Sequence, residues 1–105
     1  MSDLELLELA AKAAGMKWHD GNVWLDADAN YVLWNPLIYD GEALRLAVKL
    51  RISIYFHEYN SVSVYYLTGK GTVRCWTEYF NDDNAEERVR RAITSLAAEI
   101  GKEMK

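Results

Sequence analysis

Two histidines, one cysteine and a group of aspartates are the side chains of this sequence that could most readily do chemistry. His19 and His57 are its only histidines, and neither stands beside a serine or cysteine in a recognisable nucleophile motif. If neighbouring strands bring Cys75 close to His57, the two would form a thiol nucleophile and its base. A lone cysteine on a strand is usually a small buried hydrophobic residue, and we favour that interpretation of Cys75.

Four aspartates offer the oxygen ligands that Ca²⁺ and Mg²⁺ prefer. Asp26 and Asp28 lie in one short stretch, with Asp20 and Asp40 on either side of it. Aspartates also turn loops and cap helices, and we assign Asp20 to a turn and Asp40 to a helix cap. The glycines are scattered singly, so the sequence contains no phosphate-binding loop. We therefore predict no catalytic residues, no metal site and no cofactor.

The length and composition indicate a single domain over residues 1–105. Half of the residues are hydrophobic and 27% are charged, as in ordinary globular proteins. A chain of 105 residues can bury one core but is too short for two. The formal net charge of -4, with the acidic excess in residues 1–42, argues against a general nucleic-acid binder.

The sequence also predicts a cellular compartment. No apolar run approaches the ~20 residues that cross a bilayer, and the first residues are acidic where a signal peptide is basic. A single cysteine allows no internal disulfide and no clustered-thiolate zinc site. We expect a cytoplasmic protein of a bacterial host cell that is neither exported nor embedded in a membrane.

A first helix is predicted over residues 3–14. Ser2 and Glu5 form a capping box, in which the Ser2 hydroxyl accepts a hydrogen bond from the Glu5 amide. Gly15 then supplies the left-handed backbone with which helices commonly end.

Short strands are predicted after this helix. Asp20-Gly21 lies between two aromatic-rich runs and is a strong signal for a β-hairpin. Residues 31–34 predict a third short strand, which ends before Asn35-Pro36 because proline cannot donate to a sheet.

A second helix is predicted over residues 40–50, with Asp40 as its N-cap. Its polar stripe consists of Glu42, Arg45 and Lys49, and almost all of its other positions are apolar. So wide an apolar arc predicts burial on more than one side.

A three-stranded antiparallel meander is predicted next. Residues 52–57, 62–67 and 72–79 show alternating side chains, least cleanly in the last run. Turn residues stand between them at Asn60-Ser61 and at Gly69-Lys70-Gly71.

The last helix is the clearest element, with Asp83 as cap and Glu86 completing the capping box. Its apolar stripe contains Ala85, Val89, Ala92, Ile93, Leu96, Ile100 and Met104. Glu86 with Arg90, and Glu87 with Arg91, predict exposed ion pairs. Together the elements predict an α+β fold: an antiparallel sheet, made of the N-terminal hairpin plus the meander, packs with three helices in the order α-β-β-(β)-α-β-β-β-α.

The segment around the second helix resembles a known group of proteins. Trp34-Asn35-Pro36-Leu37, followed by the helix over residues 40–50, is similar to a motif of short uncharacterised proteins of tailed phages and prophages. The order of elements is also similar to that of the phage α-β-α sandwich proteins. Tyr39 stands where a second acid is common in the motif, and Arg51 where a glycine usually follows. The resemblance implies a phage or prophage origin and an accessory role, and it implies no catalytic residues.

Aromatic residues of the meander form the best candidate for a binding surface. Strand alternation places them opposite the Ile54, Val62 and Val64 core. If helices cover one side of the sheet, these rings are exposed to partners; if helices cover both, the rings are a second core layer. The wide apolar arc of the second helix favours two-sided packing. The candidate interaction surface consists of Tyr55, His57, Tyr65, Arg74 and Trp76.

Three functions compete. The first is a non-catalytic phage or prophage accessory protein that binds a host or phage protein, for instance to inhibit a host factor or defence system. The alternative is a nucleic-acid-binding regulatory protein that stacks bases on Tyr55, Tyr65 and Trp76, helped by Arg74 and the arginines of residues 88–91. The third is a small enzyme, which the absence of a converging motif disfavours. A homodimer through edge strands or the last helix is compatible with each of them.

Overall fold

The computed structural model describes residues 2–104 and confirms the α+β fold and the order of its elements. Each group of three strands forms an antiparallel sheet of its own, so two sheets stand in place of the single sheet predicted from the hairpin and the meander. We call β1-β2-β3 the first sheet and β4-β5-β6 the second sheet. The elements are α1 (Asp3–Ala14), β1 (Lys17–Asp20), β2 (Val23–Leu25), β3 (Tyr31–Leu33), α2 (Asp40–Leu50), β4 (Ser53–His57), β5 (Ser61–Leu67), β6 (Val73–Tyr79) and α3 (Ala85–Glu103).

Helix α1 begins and ends where its caps predict. The Ser2 hydroxyl accepts from the Glu5 backbone amide at 3.2 Å, which satisfies one of the amides left free at a helix start. Gly15 closes the helix with φ of 75°, a conformation that costs glycine little. Local sequence therefore determines both ends of this helix.

The predicted caps of α2 and α3 are wrong. Tyr39 is the N-cap of α2, without a side-chain cap bond, and Asp40 is already the first helical residue. Its carboxylate instead accepts from Arg90 at 2.6 Å. Asn84, not Asp83, precedes α3, and its side chain accepts from the Asn81 amide. At α2 the partner of Asp40 comes from α3, fifty residues away, whereas at α3 the Asn84 side chain bonds to Asn81, three residues before it.

Helix α3 lies at the centre of the fold. It packs against α1 and α2, and also against β5 and β6 of the second sheet. Ala92, Leu96 and Ala97 are almost fully buried in these contacts. Near its end, a β-carbon added to Gly101 would lie 1.9 Å from the Leu9 backbone oxygen. The α1–α3 contact is therefore too close for any side chain at this position.

Helix α2 is buried along one narrow stripe, which corrects the expectation of burial on several sides. Ala43, Leu46 and Ala47 are buried, whereas Leu44 and Val48 remain 60% and 58% exposed. Neither sheet packs over the side of α2 that carries Leu44 and Val48. These two residues therefore face an open groove.

The Trp34-Asn35-Pro36-Leu37 segment is a structural anchor. The Asn35 amide donates to the Asn22 side chain at 3.1 Å, and its oxygen accepts from the Leu37 amide at 3.0 Å. Trp34 packs edge-on against Trp24 in the core, with ring centroids 5.0 Å apart. This segment thereby ties the first sheet to the start of α2.

Arginines of α3 do not form the predicted pairs within their own helix. Arg90 donates to the Leu37 carbonyl and to Asp40, and Arg91 pairs with Asp3 at 3.3 Å. These contacts fasten α3 to α2 and α1, because the arginine side chains reach across to neighbouring elements.

Candidate interaction surface

The register of the second sheet fixes which residues share a face. Tyr55 lies beside Ser63 and Thr77, and Ser53 lies beside Tyr65 and Cys75. Since side chains alternate along a strand, odd-numbered residues of these strands project to the side away from α3. We call this side the open face: Ser53, Tyr55, His57, Ser61, Ser63, Tyr65, Leu67, Val73, Cys75, Thr77 and Tyr79.

No helix covers the open face, which corrects the favoured expectation of two-sided packing. Val62 and Val64 on the other side are fully buried beneath α3. On the open face Tyr55 is 58% exposed and Tyr79 is 75% exposed. Single-sided packing follows from the position of α2, which contacts α3 and α1 rather than the outer side of the sheet.

Three of the five predicted surface residues lie on this face and two do not. Tyr55, His57 and Tyr65 are on the open face, while Arg74 and Trp76 project toward the helices. Trp76 pairs with Val64, packs against the core, and donates to Glu78 at 2.7 Å. The predicted grouping of Trp76 and Arg74 with the tyrosines is therefore wrong.

The position of the β5–β6 turn in the sequence predicts the correct face for Trp76. The Gly69-Lys70-Gly71 turn is centred on Lys70, so residues equidistant from Lys70 oppose each other across the hairpin. Trp76 and Val64 are such a pair, which places Trp76 on the core side. The same symmetry about Lys70 places Cys75, Thr77 and Tyr79 on the open face.

A chain of polar side chains crosses the open face. His57 Nε2 lies 2.7 Å from the Ser63 hydroxyl, and that hydroxyl lies 2.7 Å from the Thr77 hydroxyl. Tyr55 packs against the His57 ring in an edge-on arrangement, with centroids 4.8 Å apart. The three strands are thus joined by side-chain hydrogen bonds as well as by their backbones.

These groups do not resemble an assembled catalytic centre. Ser63 is only 3% exposed, so a substrate has little access to its hydroxyl despite the nearby imidazole. Cys75 is exposed, which corrects the expectation of a buried side chain. It stands on β6, with the whole of β5 between it and His57 on β4. The geometry supports a stable, patterned surface.

The open face carries no Asp, Glu, Lys or Arg at any of its strand positions. The arginines assigned to the nucleic-acid hypothesis are elsewhere: Arg88 pairs with Glu78, and Arg74 with Glu103. The face is therefore aromatic and hydroxyl-rich, and its own strand positions supply no cationic group for phosphates.

The loop aspartates have a structural role. One Asp26 carboxylate oxygen accepts from the amides of Asp28 and Asn30, each at 2.9 Å, and so closes a turn. Within residues 2–104, no cluster of three or more metal-binding side chains is present. None of the helices in that range combines the length and apolar character needed to cross a membrane.

No protein-family model matches the chain, and no curated protein or solved structure matches it either.

Proposed function

We propose that this chain is a non-catalytic accessory protein that acts by binding another protein through the open face. The observation that carries the proposal is an exposed sheet surface with three tyrosines and no charged side chain. Tyr55, Tyr65 and Tyr79 give it large, stiff rings that bury apolar area at small entropic cost. Depletion of charge and enrichment in tyrosine are typical of the centre of protein interfaces.

The hydrogen-bonded centre of the face adds to this support. The Ser63 hydroxyl bonds both to the Thr77 hydroxyl and to His57 Nε2. A partner that covers these two hydroxyls therefore does not leave them without a hydrogen bond. Tyr55 lies opposite Ser63 on β4, and Tyr79 lies opposite Ser61 on β6. A partner would therefore contact the rings first, at a low cost of desolvation.

A phage or prophage origin is part of the proposal. It is supported by the resemblance of the Trp34-to-Leu50 segment to short phage proteins. A small protein of this kind can inhibit a host factor or a defence system by occlusion alone, which requires no catalytic group. Its place of action would be the cytoplasm of the bacterial host.

The single cysteine allows a direct test. Cys75 is exposed on the open face, so a maleimide-benzophenone attached there places a photocrosslinker at the proposed interface. We expect one dominant adduct when the labelled protein is irradiated in host lysate. Adding unlabelled protein should suppress that adduct, whereas the Tyr79→Lys variant, which introduces a charge on the face, should suppress it far less.

A matched control uses the other sheet. Leu33 is 67% exposed on β3, so Leu33→Lys introduces the same charge far from the open face and should compete as well as the wild type. Equal competition by both variants, or no dominant protein adduct, would contradict the proposal. An adduct with single-stranded DNA or RNA in place of protein would favour the rival nucleic-acid function.

A further inference from the structure

The two outer strands of the second sheet differ in how their free edges are protected. Strand β6 carries Arg74 and Glu78, which are held in ion pairs with α3. Strand β4 has the sequence Ser-Ile-Tyr-Phe-His, without charge, proline or bulge, and its register with β5 is unbroken. Charges and bulges are what usually prevent edge strands from pairing with other chains. β4 is therefore the unprotected edge.

The side chains of β4 are also unusually exposed. Ile54, Tyr55 and Phe56 are 36%, 58% and 60% exposed, although Ile54 and Phe56 project to the helix side. There they border a groove of about 410 Å³ between α2, β4 and α3, with Ala43, Leu44 and Val89 on its other walls. Exposed Leu44 and Val48 extend the apolar surface along α2. The edge and the groove form one continuous apolar region.

We propose that β4 pairs antiparallel with β4 of a second copy of this chain, around a two-fold axis at Tyr55. Residues that oppose each other in an antiparallel pair must project to the same face, so the axis must pass through a residue position. With the axis at Tyr55, Ile54 opposes Phe56 of the other copy, and Ser53 opposes His57. This register is the one that pairs all five residues of β4.

The charges that flank β4 are complementary under the same symmetry. Arg51 precedes the strand and Glu58 follows it, and both are exposed. Within residues 2–104 neither takes part in an ion pair. Antiparallel pairing brings the basic end of each β4 to the acidic end of the other, twice per dimer. A second copy therefore fits this edge in both apolar pattern and charge.

The dimer would join the two second sheets into one sheet of six strands. The axis is perpendicular to the sheet, so both sets of helices lie on the same side. The exposed Leu44 and Val48 of each α2 then approach the axis, where the partner shields them from water. The two open faces become continuous on the opposite side.

Disulfide trapping tests the register. In a Cys75→Ser background, Tyr55→Cys places two thiols opposite each other at the axis, with β-carbons about 4.5–5.5 Å apart. Added diamide should oxidise them to an intermolecular disulfide within minutes. Phe56→Cys is the matched control, because its two copies are offset by two residues and lie beyond the roughly 7 Å between α-carbons that a disulfide spans. Equal trapping of both variants, or of neither, would overturn the proposed register.

Charge exchange tests the same axis without oxidation. Tyr55→Lys and Tyr55→Glu should each raise the dimer dissociation constant by roughly tenfold or more, since each places like charges face to face. A mixture of the two should recover a dimer in analytical ultracentrifugation. The Tyr79→Lys variant, altered on the β6 edge, should still form the dimer. It should compete poorly with the labelled protein in the crosslinking experiment. A wild-type chain that stays monomeric into the high micromolar range would refute the dimer and leave the open-face function standing.

Discussion

The two faces of the second sheet bury their central strand in different ways. Toward the helices, Val62 and Val64 are covered by α3 and exclude water through apolar packing. On the open face, Ser61 and Ser63 are nearly as buried, yet no element lies above them. They are short residues between the taller side chains of β4 and β6. One face depends on tertiary packing, and the other on the pattern of its own side chains.

The contrast explains how the protein can expose a tyrosine-rich sheet without a helical cover. Small hydroxyl residues hydrogen-bond across the centre, so little apolar area faces water there. The rings and the apolar ends of the strands stand around this centre. Mutations on the two faces should therefore affect stability very differently.

The largest loss of stability is expected for a mutation in the core between α3 and the second sheet. Leu96 is 1% exposed in the core, so Leu96→Ala should lower the free energy of unfolding by about 2–5 kcal/mol through lost burial and a residual cavity. Leu67→Ala is the matched change on the open face, where the side chain is 66% exposed, and should cost no more than ~0.5 kcal/mol. Urea denaturation measures both. Similar losses would mean that the two faces do not differ as described.

The next largest loss of stability is expected in α3, the helix that covers Val62 and Val64. Gly101→Ala would force a methyl group into the Leu9 backbone and shift α3 relative to α1. We expect a loss of about 1–3 kcal/mol from overpacking, despite alanine's better helix propensity. Gly69→Ala is the control, since nothing lies within 4 Å of its added carbon. A neutral Gly101→Ala variant would show that α1 and α3 can separate at no cost.

The smallest of the three effects is expected at the centre of the open face. Ser63→Ala removes the bonds to His57 and Thr77 and should cost about 0.5–1.5 kcal/mol. Ser53→Ala, on the exposed edge strand, should be close to neutral. Thermal unfolding followed by circular dichroism distinguishes the two. If Ser63→Ala is as mild as Ser53→Ala, the polar chain contributes nothing to the face.

Local signals in the sequence were sufficient for most of the fold. Ser2, Glu5 and Gly15 determine the ends of α1 through contacts within a few residues. The turns of the meander follow from similar short-range patterns. Such features can be read from sequence because the interacting groups are neighbours along the chain.

Features that depend on distant neighbours were not predicted. Asp40 and Arg90 are far apart in sequence, and their bond replaces both a predicted cap and a predicted intrahelical pair. The one-sided cover of the sheet depends on where α2 settles, which its apolar arc did not reveal. The uneven alternation in β6 predicts the wrong face for Trp76, although the turn centre specifies its register.

Arg51 joins α2 to β4 in a left-handed conformation, with φ of 59°. Such a backbone costs a residue with a side chain about 1–2 kcal/mol, a cost that glycine at this position would avoid. The chain therefore gives up some of its own stability two residues before β4 begins. What it retains there is a positive charge, which stabilises the carboxyl end of α2 and stays exposed to an acidic group of another molecule.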